Sequence, residues 1–135
     1  MQLKHHTPAT IHPPFANYAL GIEVPSGTRL LFCSGQLGIA PDASIPQSTT
    51  AQAEICFANI AAVLASANMN FSNIIRINAY VSDRKYLPEY MAVRDALFPG
   101  GSPASTLMIV SGFAREIFKV EIEVVAAASD ESLNT

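Results

Sequence analysis

The apolar pattern of this chain predicts an α+β fold: a sheet with two helices on one face, in the order β-β-α-β-α-β-β. Three observations carry that prediction. Only two segments, 49–68 and 88–98, space their apolar residues for a helix, while five shorter runs read as strands. The last of these strands alternates cleanly, with Lys119, Glu121 and Glu123 on one side and Val120, Ile122 and Val124 on the other. A length of 135 residues leaves room for one core, so residues 1–135 read as a single domain with a leader at 1–14 and a polar tail at 128–135.

Taken in order, the leader carries His5, His6 and His12 among Pro8, Pro13 and Pro14, a composition that suits a flexible tail better than a metal site. Residues 19–24 and 29–33, joined by Pro25-Ser26-Gly27, read as an N-terminal hairpin. Ser34-Gly35-Gln36 interrupts the apolar run, and a loop rich in Pro, Asp and Ser covers 40–48. Thr49 with Gln52 three residues on is a capping-box signal. The helix it opens has a stripe of Cys56, Ile60, Val63, Leu64 and Ala67 and stops at Asn68. The strand at 74–81 turns Ile75, Ile77, Ala79 and Val81 inward and breaks at Ser82-Asp83. Pro88 suits the first turn of the second helix, 88–98, which Pro99-Gly100-Gly101 terminates. Strands at 106–110 and 117–127 close the chain as a hairpin with Arg115 between them, and Ser129-Asp130-Glu131-Ser132 is polar enough to fray.

Half of the residues are hydrophobic and only 14% are charged, against about 25% in an ordinary soluble domain. That is little charge to coat a small monomer, so an oligomer is expected, and three or so copies packing their open sheet faces together would cover what the helices leave bare. The net charge of −3 and eight scattered Lys and Arg residues form no basic stripe, which argues against nucleic acid as a partner. No apolar run is long enough for a secretory signal or a membrane span, which makes a cytoplasmic setting the default expectation. Cys33 and Cys56 lack C-x-x-C spacing and read as buried free thiols. No metal and no cofactor are assigned. On pattern alone the row Lys119, Glu121, Glu123 is either a solvated strand edge at the rim of the sheet or the wall of a cleft.

Five segments in succession resemble the signatures of the RidA/YjgF family and span nearly the whole chain. They are Phe32-Cys33-Ser34-Gly35-Gln36, the helix around Asn59-Ile60, Arg76 to Asp83 (R-I-N-A-Y-V-S-D), Pro103-Ala104-Ser105-Thr106, and Val120-Glu121-Ile122-Glu123. The resemblance implies a homotrimer of chorismate-mutase-like subunits with a small-molecule cleft at each subunit interface. It also implies hydrolysis of the enamine and imine products of pyridoxal-phosphate enzymes to a 2-oxo acid and ammonia. Ser34 matches the serine of the family's S-G-Q motif, beside Gly35, and Glu121 matches the glutamate that positions the attacking water. Tyr18 is similar to the N-terminal pocket tyrosine, with Asn17 where a proline usually precedes it. Ser105 stands where the family's P-A-R-S motif has the arginine that clamps the substrate carboxylate, and Thr106 beside it offers a second hydroxyl.

Each of these residues also has a plainer reading. Ser34-Gly35 suits a strand end where backbones approach closely, Tyr18 a packed aromatic with a wet hydroxyl, Glu121 a solvated carboxylate, and Ser105 a strand-opening residue. A serine hydroxyl supplies one neutral donor where a guanidinium supplies a charged fork. Since charge-assisted hydrogen bonds contribute about 1.5–3 kcal/mol each, activity on 2-iminobutanoate or 2-iminopropanoate is expected to be weak or absent unless another cation, with Arg115 or Arg76 the local choices, reaches the carboxylate. The alternative function is a trimer that binds a metabolite without turning it over. The endoribonuclease label attached to some relatives gains nothing from an acidic chain.

Overall fold

The structure, a computed structural model, describes residues 2–100 and 103–130. Its main sheet has four strands: β3 (Thr28–Leu37), β4 (Ile74–Val81), β5 (Ala104–Ile109) and β6 (Val120–Ser129), in the spatial order β3-β6-β4-β5. Helices α1 (Thr49–Ser66) and α2 (Leu87–Leu97) cover one face. The core lies between them. Cys33, Ile77, Ala79, Val81, Val120, Ile122, Val124 and Ala126 meet Ala53, Cys56, Phe57, Ile60 and Leu64 of α1 and Tyr90 of α2. This is the α+β architecture expected, with a mixed sheet, since β4 and β5 run parallel and the other pairs antiparallel.

The strand partners differ from the expected hairpins. Residues 19–24 do not pair with 29–33. Instead β1 (Lys4–His6) and β2 (Gly21–Glu23) form a small antiparallel ribbon, with His6 Nε2 2.8 Å from Glu23 Oε1. Part of the leader expected to be a flexible tail is thus a strand. β5 and β6 do not form a closing hairpin either. β6 lies between β3 and β4, from Thr28↔Ser129 to Leu37↔Glu121 on one side and Ile74↔Ala126 to Val81↔Val120 on the other. The physical reason is burial: β6 carries the longest buried inner row of Val, Ile and Ala among the described strands, from Val120 to Ala128, which suits the middle of a sheet. β4, α2 and β5 then make a parallel crossover, with the helix packed back on the sheet. Because β6 is central, its carboxylates do not sit at a strand edge.

Smaller departures have local causes. A register shift between Ile74 and Arg76 turns Ile74, 4% exposed, into the core in place of Ile75. The first helix is capped by Ser48, whose hydroxyl accepts from Ala51 N at 3.0 Å, rather than by a Thr49–Gln52 box. Asn68 follows the helix with φ 56°, the left-handed geometry asparagine tolerates. β6 runs through Ala128 and Ser129, so the tail starts later than expected. Glu131 and Ser132 of that tail, like Gly101 at the end of α2, lie outside the described residues.

Gln52, fully buried, ties the loops to the helix. Its Nε2 donates to Pro46 O and Ile117 O, both at 2.9 Å, and its Oε1 accepts from Lys119 N at 2.9 Å. The helix approaches β3 so closely there that a Cβ on Gly38 would sit 2.5 Å from Gln52 Cβ and 2.7 Å from its Cα. Gly38→Ala is therefore expected to lower stability by about 1–3 kcal/mol, read as a shifted urea midpoint at unchanged slope. Gly100→Ala, which meets nothing within 4 Å, is the matched control and should leave the midpoint in place.

Candidate functional site

Alternation along the strands sorts the candidate residues onto the two faces of the sheet. The face away from the helices carries Ser34 from β3, Glu121 and Glu123 from β6, Asn78 and Tyr80 from β4, and Thr106 from β5, with Asn78 opposite both Glu123 and Thr106 and Tyr80 opposite Glu121. Leu30, Phe32 and Met108 stand on the same face with at least half their surface open, Phe32 at 74%. A sheet face this apolar, with a carboxylate pair in its middle, calls for cover.

A β-bulge shapes the carboxylate end of that face. Between Cys33 and Gln36 the register shifts, so Ser34 and Gly35 bow out of the ladder beside β6. Glu121 fills the space above Gly35, where a Cβ would lie 2.9 Å from Glu121 Cδ and 3.2 Å from its Oε1. Only glycine admits the carboxylate in this position. Partial burial, and secondarily the charge of Glu123, push the Glu121 carboxyl above its usual range. Glu123 is held differently: its Oε1 accepts from Tyr80 Oη at 2.8 Å and Asn78 Nδ2 at 3.1 Å, and the bond to the carboxylate raises the Tyr80 phenol. A cavity of about 370 Å³ joins Ser34, Phe32, Asn78 and Glu123, and Asn78 Oδ1 there is buried without a hydrogen-bond partner.

Ser105 lies on the other side. It is opposite Ile77, turned toward α2, and lines a second cavity of about 310 Å³ with Tyr18, Tyr90, Met91, Arg94 and Leu107. Tyr18 Oη accepts from Phe15 N at 3.2 Å, leaving its own proton to donate. Thr106 faces outward and accepts from Arg76 Nη2 at 2.8 Å, so its hydroxyl is no substitute for that of Ser105. Arg115 stacks on Phe118, 5.2 Å from the ring centroid, and does not line the Ser105 cavity. Within one chain, then, the structure brings Ser34, Gly35 and Glu121 together on one face, and Tyr18 and Ser105 together on the opposite side of the sheet.

The residues that sequence reasoning passed over are Asn78 and Tyr80 on the outer face and Arg94 on the inner side. The first two were visible as a polar parity, Arg76, Asn78, Tyr80, running beside the carboxylate row that includes Glu123. Arg94 had a fainter signal. It follows Tyr90 by four positions on the buried stripe of α2, where a charge is out of place. Cys33 and Cys56 are buried and unbridged, with burial pushing the Cys56 thiol up to about 12. Among the described residues no three His, Cys, Asp or Glu side chains gather as a metal site, and no helix is long and apolar enough to cross a membrane.

Because the fold disfavours the charged form of Glu121, the folded protein binds a proton there more readily than the unfolded chain, and stability falls as pH rises through the carboxylate range. Glu121→Gln should therefore raise the thermal midpoint at neutral pH. The gain should shrink as pH falls below about 4, where both states are protonated. An equal gain at both pH values would contradict this.

The family model described as endoribonuclease L-PSP matches residues 10–128. The protein DfrA of Myxococcus xanthus is 30% identical over 113 residues, 82% of this chain and 85% of its own, and the RutC family protein YjgH of Escherichia coli is 29% identical over 126 residues, 92% of this chain and 94% of its own. Among solved structures, YyfB from Yersinia pestis, a Rid-family protein of unknown function, superposes with a TM-score of 0.82 at 27% identity over 95% of this chain and all of that one. Yeast Mmf1 does so at 0.70 and 26% identity, over 95% of this chain and 100% of its own. With the family model spanning almost the entire fold, the chain belongs to the endoribonuclease L-PSP family, also called RidA/YjgF.

Proposed function

We propose that this protein is a homotrimer that hydrolyses an imine or enamine metabolite in a cleft between neighbouring subunits. The observation that carries the reading is the Glu121 carboxylate seated over Gly35, raised above its usual range and engaged by no other side chain among the described residues. A carboxylate held in this way is a better proton acceptor than an ordinary solvated one and can bind and activate a water. The exposed Leu30, Phe32 and Met108 on the same sheet face support assembly through it. The division of site residues between two sides supports a shared cleft: Ser34 and Glu121 of one subunit would meet Tyr18 and Ser105 of the next, at the β5 edge.

In the reaction, water bound by Glu121 and the Ser34 hydroxyl adds to C2 of the imine, and Glu121 takes one water proton and passes it to the nitrogen, giving the carbinolamine. Glu121 then takes the proton of the new C2 hydroxyl and delivers it to the nitrogen as the C–N bond breaks, so that ammonia leaves and C2 becomes the carbonyl of a 2-oxo product. No cofactor or metal takes part in this scheme, and the buried unbridged thiols fit a reducing, cytoplasmic compartment. The expectation of weak activity on 2-iminobutanoate and 2-iminopropanoate rests on Ser105 in place of the family's arginine; Arg94, which also lines that cavity, is buried and bonded to Asn17 O and Asp95 Oδ1.

Imines generated in situ from apolar amino acids by an amino-acid oxidase test the reading. Protein sedimenting at three times 14.4 kDa should accelerate release of the 2-oxo acid, and Glu121→Gln should lower that rate by about a hundredfold, the usual contribution of a general base. A trimer that binds 2-oxo acids but accelerates no imine in the panel would instead identify a non-catalytic metabolite-binding protein.

A further inference from the structure

The contact between Glu121 and Gly35 joins two strands, and α1 reaches both of them. Gln52 and Cys56 stand one turn apart on the helix, both fully buried. Gln52 Oε1 accepts from Lys119 N, two residues before Glu121, and its Nε2 donates to Ile117 O, both at 2.9 Å. Those bonds fix the entry to β6. Cys56 Sγ donates to Gln36 O at 3.2 Å, where β3 leaves the bulge that contains Gly35. That bond fixes the other wall.

The bulge has few other holds. Ser34 and Gly35 have no partners in the β6 register, and the carbonyls around them take donors from side chains. Ser34 O accepts from Gln36 Nε2 at 3.1 Å and from Cys33 Sγ at 3.5 Å, and Gln36 O accepts from Cys56. Burial first, and then the charge of Glu121, push the Cys56 thiol up to about 12, so it stays a donor throughout the range in which a carboxylate titrates. Tolerance for movement is small, because a Cβ on Gly35 would already lie 2.9 Å from Glu121 Cδ and 3.1 Å from its Cγ. We infer that Gln52 and Cys56 are a positioning pair: from one turn of α1 they hold β6 and the β3 bulge at the separation that seats the Glu121 carboxylate over Gly35. The inference rests on the role proposed for Glu121 and deepens it by naming what holds the carboxylate in place. Neither residue is asked to touch the substrate.

Cys56→Ala removes the donor, and Cys56→Ser replaces the thiol with a hydroxyl. In the intact protein labelled with ¹⁵N and ¹³C, at one fixed pH, the Gly35 amide and the Glu121 side-chain carboxyl carbon should shift in Cys56→Ala and return most of the way in Cys56→Ser. Gln52→Met keeps the length of the side chain without its hydrogen bonds and should shift the Glu121 carboxyl carbon as well. On an imine that the wild type hydrolyses, Cys56→Ala should lower kcat by about tenfold at nearly unchanged KM, since a displaced seat misaligns the water more than it weakens binding. Cys33→Ala leaves Cys56 as the single thiol. Its infrared S–H stretch should lie below that of an unbonded thiol, a readout that stands even if alanine at position 56 does not fold. A lowered thermal midpoint in Cys56→Ala with both resonances in place would make Cys56 plain packing and overturn the inference. So would serine leaving the resonances where alanine puts them, or an S–H stretch at the unbonded frequency. Shifted resonances in a protein that hydrolyses no imine would keep the pair as the support of the carboxylate and remove the reaction.

Discussion

Everything in this structure depends on β6 lying in the middle of the sheet. One strand supplies Val120, Ile122, Val124 and Ala126 to the core and, with the opposite parity, Glu121 and Glu123 to the other face. Because β3 and β4 flank it, the carboxylates cannot splay into water as they would on an edge strand. They are hemmed by Leu37 and Tyr80 on either side of Glu121 and by Asn78 beside Glu123. The apolar half of the strand holds the charged half where it is, and the energy for placing a carboxylate against Gly35 comes from burying valine and isoleucine behind it.

The two carboxylates are neighbours of the same sign with unequal surroundings. Glu123 is neutralised in part by two donors from β4, whereas Glu121 keeps only its own backbone environment and the glycine beneath it. In the proposed reaction that inequality would give the two carboxylates different roles, Glu123 holding β4 and Glu121 holding water. The cation is kept away from both: Arg94 lies across the sheet, behind β5 and against α2. Within one chain a direct ion pair between Arg94 and Glu121 is thereby prevented, and the guanidinium is bonded instead to Asn17 O and Asp95 Oδ1.

Much of this was legible in the sequence. The helix and strand segments, the two-face alternation of β6 and the buried thiols followed from apolar period and composition, and the family followed from resemblance. Strand partnership did not follow, because local pattern does not say which edge a strand joins. The turns at Pro25-Ser26-Gly27 and around Arg115 looked like hairpin turns, but long-range burial of β6 outweighed them. Nor did the facing of Ser105 and Thr106 follow, since adjacent strand residues exchange sides with a shift of one. Arg94 was hidden for another reason. A lone arginine in a helix is usually solvated, and only the packing of residues 15–18 over the end of α2 buries it.

In the proposed trimer, two half-sites on opposite sides of one chain become a single cleft. A crystal structure of the assembled protein grown with 2-oxobutanoate tests this. The expected result is a ring of three copies in which Tyr18 and Ser105 of one protomer meet one end of the ligand and Glu121 and Ser34 of its neighbour face the 2-oxo carbon. A structure in which Glu121 is sealed under apolar contacts with no ligand within reach, or in which the copies join through the helices and leave Phe32 open to water, would contradict it.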